Sequence, residues 1–230
     1  MSTDLHIQLA GEHVILLPER ALYWPRESVL LMTDPHWGKA ATFRARGLPL
    51  PEGSVEADLQ RLSAALEKTG AARLICLGDL LHAKAGRDAS VLAAVGRWRE
   101  AHPALEVLLV RGNHDRGAGD PPDTWNIRCV DAPFTLAPFT LYHEPPFAEN
   151  PKGQPPSPAL ENAYALGGHL HPLAMLSGKG RQMLKLPCFW FGQRVGVLPA
   201  FGEFTAGMVV QPAPGDRLYA VAGESVVQVR

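Results

Sequence analysis

Histidine and carboxylate side chains fall together at a few short places in this chain. The blocks are Asp34-Pro35-His36, Gly78-Asp79, Gly112-Asn113-His114-Asp115, His143-Glu144 and Gly167-Gly168-His169-Leu170-His171. Carboxylate oxygen, amide oxygen and imidazole nitrogen, without thiolate, suit manganese, iron, zinc or nickel. In extended chain an Asp and a His two apart point to the same side, as do His169 and His171, so each pair can approach one metal from a single strand end. A lone Asp-x-His or Gly-Asp is more often a turn or a satisfied core histidine, but five such blocks in order point to a shared site.

Each block follows an apolar run. Residues 29–33 lead into Asp34, 73–77 into Gly78, 106–110 into Gly112, 139–142 into His143 and 164–166 into Gly167. Helical patterns over 54–69 and 90–102 separate the first three runs, a rhythm that reads as βαβαβ with parallel strands. Sheets of this kind bind ligands outside the carboxyl ends of their strands. In the first helix Val55, Leu59, Leu62 and Leu66 share one face, Ser54 is expected to cap it, and Gly70 to end it. In the second, Ser90 is the expected cap, Val91, Val95 and Trp98 form the apolar side, and Pro103 lies just beyond. From Phe134 onward short apolar runs, including 209–210, 218–221 and 226–229, predict a mostly β half.

The chain has 230 residues, enough for one domain over 1–230 with a substantial core. A net charge of -1 excludes the broad basic surface of a tight, non-specific duplex binder, so any nucleic-acid contact must be a local patch. Cys76, Cys129 and Cys188 are odd in number and widely spaced, which suits reduced thiols better than a disulfide framework or a zinc site. No apolar run approaches a membrane span, so a soluble, cytoplasmic protein without a membrane partner is expected. The Pro/Gly-rich stretches 117–123 and 145–158 each follow a ligand block and are candidate substrate rims.

Taken together, Asp34-x-His36, Gly78-Asp79, Gly112-Asn113-His114-Asp115, His143 and Gly168-His169-x-His171 resemble the signature of calcineurin-like metallophosphoesterases. The resemblance implies an α/β fold, a four-layer αββα sandwich with mixed β-sheets, and two divalent metal ions. It assigns Asp34, His36 and His171 to one ion, Asn113, His143 and His169 to the other, and Asp79 to a bridge between them. It also implies hydrolysis of a phosphate ester by a water activated at the ions, with His114 assisting the leaving group. Asp115 is placed to orient the His114 imidazole.

Residues 38–47, 186–192 and 198–202 resemble a narrower branch, the ligase-associated DNA-damage-response endonucleases. That likeness implies a manganese-dependent cut in single-stranded DNA and association with a repair ligase and helicase. Pro35 departs from the branch, which usually has a larger apolar residue there, as does Trp37. Lys39, Arg44 and Arg46 form a basic cluster near the first block, able to hold phosphates beside the scissile one. Trp37 and Phe189 to Phe191 offer stacking surfaces for unpaired bases, although for 189–191 a core role is favoured. His6, His13 and His102 read as surface or packing residues, and His82 stays open. The same blocks also suit a phosphomonoesterase or a nucleotide or protein phosphatase, and more remotely a silent partner-binding scaffold.

Overall fold

The computed structural model describes residues 3–48, 50, 53–146, 163–178, 183–203 and 205–230. The expected substrate rim at 145–158 therefore lies almost wholly outside the described residues. Two mixed sheets pack face to face. The first has seven strands in chain order: β1 (Leu5–Leu9), β2 (Glu12–Leu17), β3 (Ala21–Trp24), β4 (Val29–Met32), β5 (Arg73–Cys76), β6 (Glu106–Val110) and β7 (Ile127–Val130). Its first four strands are antiparallel neighbours, and β4 to β7 run parallel.

The expected βαβαβ unit is present as β4, α2 (Ser54–Thr69), β5, α3 (Ala89–Ala101) and β6. Parallel strands are covered on both faces and so read as unbroken apolar runs. The pleat sorts these runs. Leu30, Met32, Leu74, Cys76, Val107 and Leu109 pack toward the helices, while Val29, Leu31, Ile75, Leu108 and Val110 pack toward the second sheet. The helix-side core takes Val55, Leu59, Leu62 and Leu66 from α2 and Val91, Val95 and Trp98 from α3. Two short helices, α1 (Lys39–Ala45) and α4 (Asn113–Ala118), add Ala41 and Ala118 to it.

The helix ends differ in detail from expectation. Ser54 is the first helical residue and Gly53 precedes it without a side-chain cap, whereas Gly70 does end α2 in the left-handed conformation. At α3 the cap is Asp88, whose carboxylate accepts from Val91 N at 2.9 Å; Ser90 sits inside the first turn and donates to Asp88 instead.

The second sheet runs β14 (Met208–Val209), β11 (Pro172–Ser177), β12 (Met183–Phe191), β13 (Val195–Val197), β10 (Tyr164–Gly167), β9 (Phe139–Leu141) and β8 (Phe134–Leu136). β15 (Arg217–Ala222) pairs with β12, and β16 (Ser225–Gln228) with β15. Phe139, Leu141, Leu166, Phe189, Phe191 and Tyr219 fill the space between the sheets. The other face of the second sheet carries a smaller cluster of Ala174, Cys188, Val210, Leu218 and Ala220, to which, among the described residues, no helix contributes. β9 and β10 run parallel, as β4 to β6 do.

The N-terminal hairpin was not expected. Ala10 and Gly11, with φ of 52° and 82°, make a two-residue turn that returns β2 along β1 with Leu9 opposite Glu12. Ile7, Leu9, Val14 and Leu16 point inward, while His6 and His13 are an exposed pair 3.1 Å apart. The three cysteines are free, and Cys76 and Cys188 are buried.

Leu62 is fully buried between α2 and the first sheet. Leu62→Ala is expected to cost about 2–5 kcal/mol, read as a lower urea midpoint at unchanged slope. A loss below about 1 kcal/mol would mean that this helix does not carry the core as described.

Candidate metal centre

The five blocks meet where strands of the two sheets end side by side. β4 delivers Asp34 and His36, β5 Asp79, β6 and α4 Asn113 and His114, β9 His143, and β10 His169 and His171. Past the strand ends the chain does not stay extended. Asp34, His36, Asp79, His169 and His171 all have φ between 46° and 66°, the left-handed region that side chains with a Cβ seldom occupy. Strain of this kind persists where surrounding contacts over-determine it, and it clusters at functional sites.

These turns divide the ligands differently from extended strands. Donor atoms of Asp34, His36 and His171 lie within 4.8 Å of one another, and so do those of Asp79, His143 and His169. His169 and His171 thus serve different groups and do not approach one ion as a pair. Asn113 Oδ1 lies 3.0 Å from His143 Nε2, beside the second group. Asp79 Oδ2 stands between the groups, 3.7 Å from His36 Nε2 and 3.4 Å from His143 Nε2.

Asp34 is fully buried and Asp79 2% exposed. Asp34 Oδ2 accepts from Thr33 Oγ1 at 2.7 Å and His169 N at 2.8 Å, and Asp79 Oδ1 accepts from His114 N at 2.9 Å. Burial pushes both carboxyls up, but the imidazoles override it. His171, with His143 and His36, holds Asp34 below its ordinary value, and His143 holds Asp79 down at about 2. Burial works against a charged His143 too, yet Asp79 and Asp34 raise it to about 9, while at His36 burial wins and lowers the ring to about 3.

The residues fit divalent ions. Asp34 Oδ1 is buried and completes no hydrogen bond of good geometry, although His171 Nε2 is 3.2 Å away. His143 Nδ1 and His171 Nδ1 are tied to the carbonyls of Leu77 and Ala206 at 2.8 and 2.7 Å, so their Nε2 atoms face the centre. Metal-bound histidines are oriented in this way. Gly168 permits the close approach of β10 to β4: a Cβ there would overlap Thr33 Oγ1 and Asp34 Oδ2.

Asp115 does not orient His114. Its Oδ2 accepts from Asp79 N at 2.7 Å and Gly112 N at 2.9 Å, and its Oδ1 from Leu81 N at 3.2 Å. The carboxylate is consumed as a clamp between the β5 and β6 ends, and is 1% exposed. His114 Nδ1 instead meets the carbonyl of His82 at 2.7 Å. His82 belongs to the site: its ring stacks on His114 at 4.7 Å, and its Nδ1 lies 3.4 Å from His36 Nδ1. Its position three residues after Asp79 was the one signal in the sequence.

The basic cluster divides. Lys39 is half-buried at the start of α1, within range of the charges of Asp34 and Asp79, and Arg46 lies near enough to His82 to influence it. Arg44 lies within range of the charge of Asp88 at the cap of α3. Trp37 is 2% exposed in the helix-side core and offers no stacking face, because its backbone pairs with Leu80 and His82 and draws the ring inward. Phe189 and Phe191 are core residues, as favoured, and Trp190 donates to Asp216 Oδ2 at 2.8 Å. The stretch 117–123 is held down, Arg87 Nη1 donating to the carbonyls of Ala118, Gly119 and Asp120 and Arg111 pairing with the Asp120 carboxylate.

No family model and no curated protein matches the chain. Solved structures do. The crystal structure of Pseudomonas putida nuclease MPE matches with 40% identity and a TM-score of 0.82, covering 99% of this chain and 100% of that one. Yfce, a phosphoesterase from E. coli, matches at 17% identity and a TM-score of 0.40 over 87% of this chain and 97% of that one. The first likeness, taken with the carboxylate and imidazole groups at the strand ends, defines a metal-dependent phosphoesterase. The chain belongs to the metallophosphoesterase family.

A ring raised to about 9 carries a proton at neutral pH, and a metal ligand must not. Loading of the His143 group is therefore expected to release a proton at pH 7.5, and apparent affinity to climb with pH until about 9. Calorimetric manganese titrations in buffers of different ionisation enthalpy measure the release. Binding heats independent of buffer would contradict it.

Proposed function

We propose that this protein is a manganese-dependent, two-ion phosphodiesterase that cuts single-stranded DNA in the cytoplasm during DNA repair, in functional association with a ligase and a helicase. The observation that carries the reading is the 40% identity, over both full lengths, to a protein described as a nuclease. Asp34, His36 and His171 would hold one ion and Asn113, His143 and His169 the other, with Asp79 shared. When bound, such ions supply an acidified water and the positive charge that holds phosphate oxygens.

The chain's own groups do the rest. His114 keeps its Nδ1 proton against the His82 carbonyl, so the proton that moves is the one at Nε2. Nε2 lies 4.0 Å from Asp79 Oδ2, at the edge of the centre, and the side chain is 36% exposed, open to a leaving oxygen. Protonated at Nε2, it donates to the departing alkoxide. Lys39 and Arg46 lie on the side of His36 and His82 and suit phosphates flanking the cut. Stacking by Trp37 has no part in this, since that ring is buried.

Single-stranded circular DNA, a generic phosphodiester and a phosphomonoester are offered with manganese. Circle cleavage is expected in the parent and absent in Asp79→Ala, while monoester turnover with intact circles would move the function to a phosphatase. His114→Ala is expected to keep both ions while turnover falls about a hundredfold or more. Loss of an ion in that variant would make His114 a ligand and remove it from proton transfer.

A further inference from the structure

The stretch that follows β13 reaches the ligands of one ion at several points. Phe201 N donates to the Thr33 carbonyl at 2.8 Å and Gly202 N to the Asp34 carbonyl at 3.2 Å. The carbonyl of Ala206 accepts from His171 Nδ1 at 2.7 Å. Phe201, Gly202 and Ala206, between β13 and β14, thus set both the turn that presents Asp34 and the ring of His171.

It is held in turn by α2, whose Leu59 and Leu62 share the helix-side core with Phe201. Arg61 Nη2 donates to the Phe201 carbonyl and, at 2.7 Å, to Asp58 Oδ1. Its guanidinium lies 4.5 Å over the Phe201 ring, and Nη1 is 3.5 Å from Glu203 Oε1. Arg20 Nη1 reaches the next carbonyl, that of Gly202, at 3.4 Å. Asp58 is 4% exposed and Phe201 fully buried.

Burial pushes the Asp58 carboxyl up to about 7 against the pull of Arg61, so the pair gains little over apolar residues of the same volume and stability alone is a weak reason for its presence. Leu59 and Leu62 already anchor the same stretch of α2 in the core. What the pair adds is direction. Asp58 fixes the planar fork of Arg61, and the fork fixes the Phe201 carbonyl, which lies between the Phe201 and Gly202 amides that hold the Thr33–Asp34 backbone.

We propose that Asp58 and Arg61 are positioning residues for one metal ion above the other: through Phe201 and Gly202 they set Asp34 and His171, and they reach the Asp79, His143 and His169 group only indirectly, through contacts of Asp34 such as the bond that its Oδ2 accepts from His169 N. The proposal rests on the two-ion reading above. Outer partners that orient ligands typically contribute 10–100-fold in metal affinity, so the effect is measurable.

Manganese binding is measured by calorimetry on the full chain in two single-ion backgrounds. His143→Ala keeps the Asp34, His36 and His171 set, and His171→Ala keeps the other. Arg61→Lys retains the charge beside Asp58 but replaces the fork with a single ammonium. It is expected to weaken manganese about tenfold or more in the His143→Ala background, and by less than about threefold in the His171→Ala background. If Arg61→Lys proves unfolded by circular dichroism, Asp58→Ala, which removes the acceptor that fixes the fork, carries the same comparison. Leu62→Ala, on the same helix, controls for general loosening and is expected to leave both backgrounds alike. Equal weakening in both backgrounds, weakening in neither, or the same one-sided loss in Leu62→Ala overturns the proposal. A parent chain that takes up fewer than two ions overturns the two-ion reading and the proposal with it, a failure visible before any change at Arg61.

Discussion

Two carboxylates, Asp34 and Asp79, sit at 0% and 2% exposure where the edges of two sheets meet, and almost everything nearby answers to them. A carboxylate out of water needs several donors or cations. Backbone amides of His169 and His114 supply one hydrogen bond each, the Thr33 hydroxyl another, and imidazoles crowd the remaining oxygens. Asp115 shows how far the arrangement extends, for a third buried carboxylate is spent on holding the loops that carry Asp79 and Gly112. Burial raises its pKa while the amides pull the other way.

The strands that carry the blocks were legible because their environment is uniform. β6 matches the apolar run at 106–110, β4 and β5 each end one residue short of theirs, and α2 begins and ends where its pattern does. Buried parallel strands and a one-sided helix write their surroundings into hydropathy, and the order of polar blocks at their ends followed. The β1–β2 hairpin escaped notice although Ala10-Gly11 lies between alternating residues, since four inward side chains among polar neighbours make a thin signal.

The rest depended on contacts between residues far apart in sequence. That His169 and His171 part company follows from left-handed turns at both, which no periodicity announces. Asp115 was assigned to its neighbour His114, but its partner Asp79 N is 36 residues away. Trp37 looked available because it adjoins a ligand, yet its backbone bonds to Leu80 and His82 carry it inward. His82 is read correctly only once the rings of His36 and His114 are placed around it.

Both ligand groups draw on both sheets, and this sets an order of events during synthesis. A chain that has left the ribosome as far as α4 already holds Asp34, His36, Asp79 and His114, but neither group is complete. Closure waits for β10 to lie beside β9 and β13, pairings that join Tyr164 to Phe139 and Ala165 to Val195. A polypeptide ending at α4 therefore lacks donors of each of these two groups, although His36, His82 and His114, whose donor atoms also lie within 4.8 Å of one another, are all present in it.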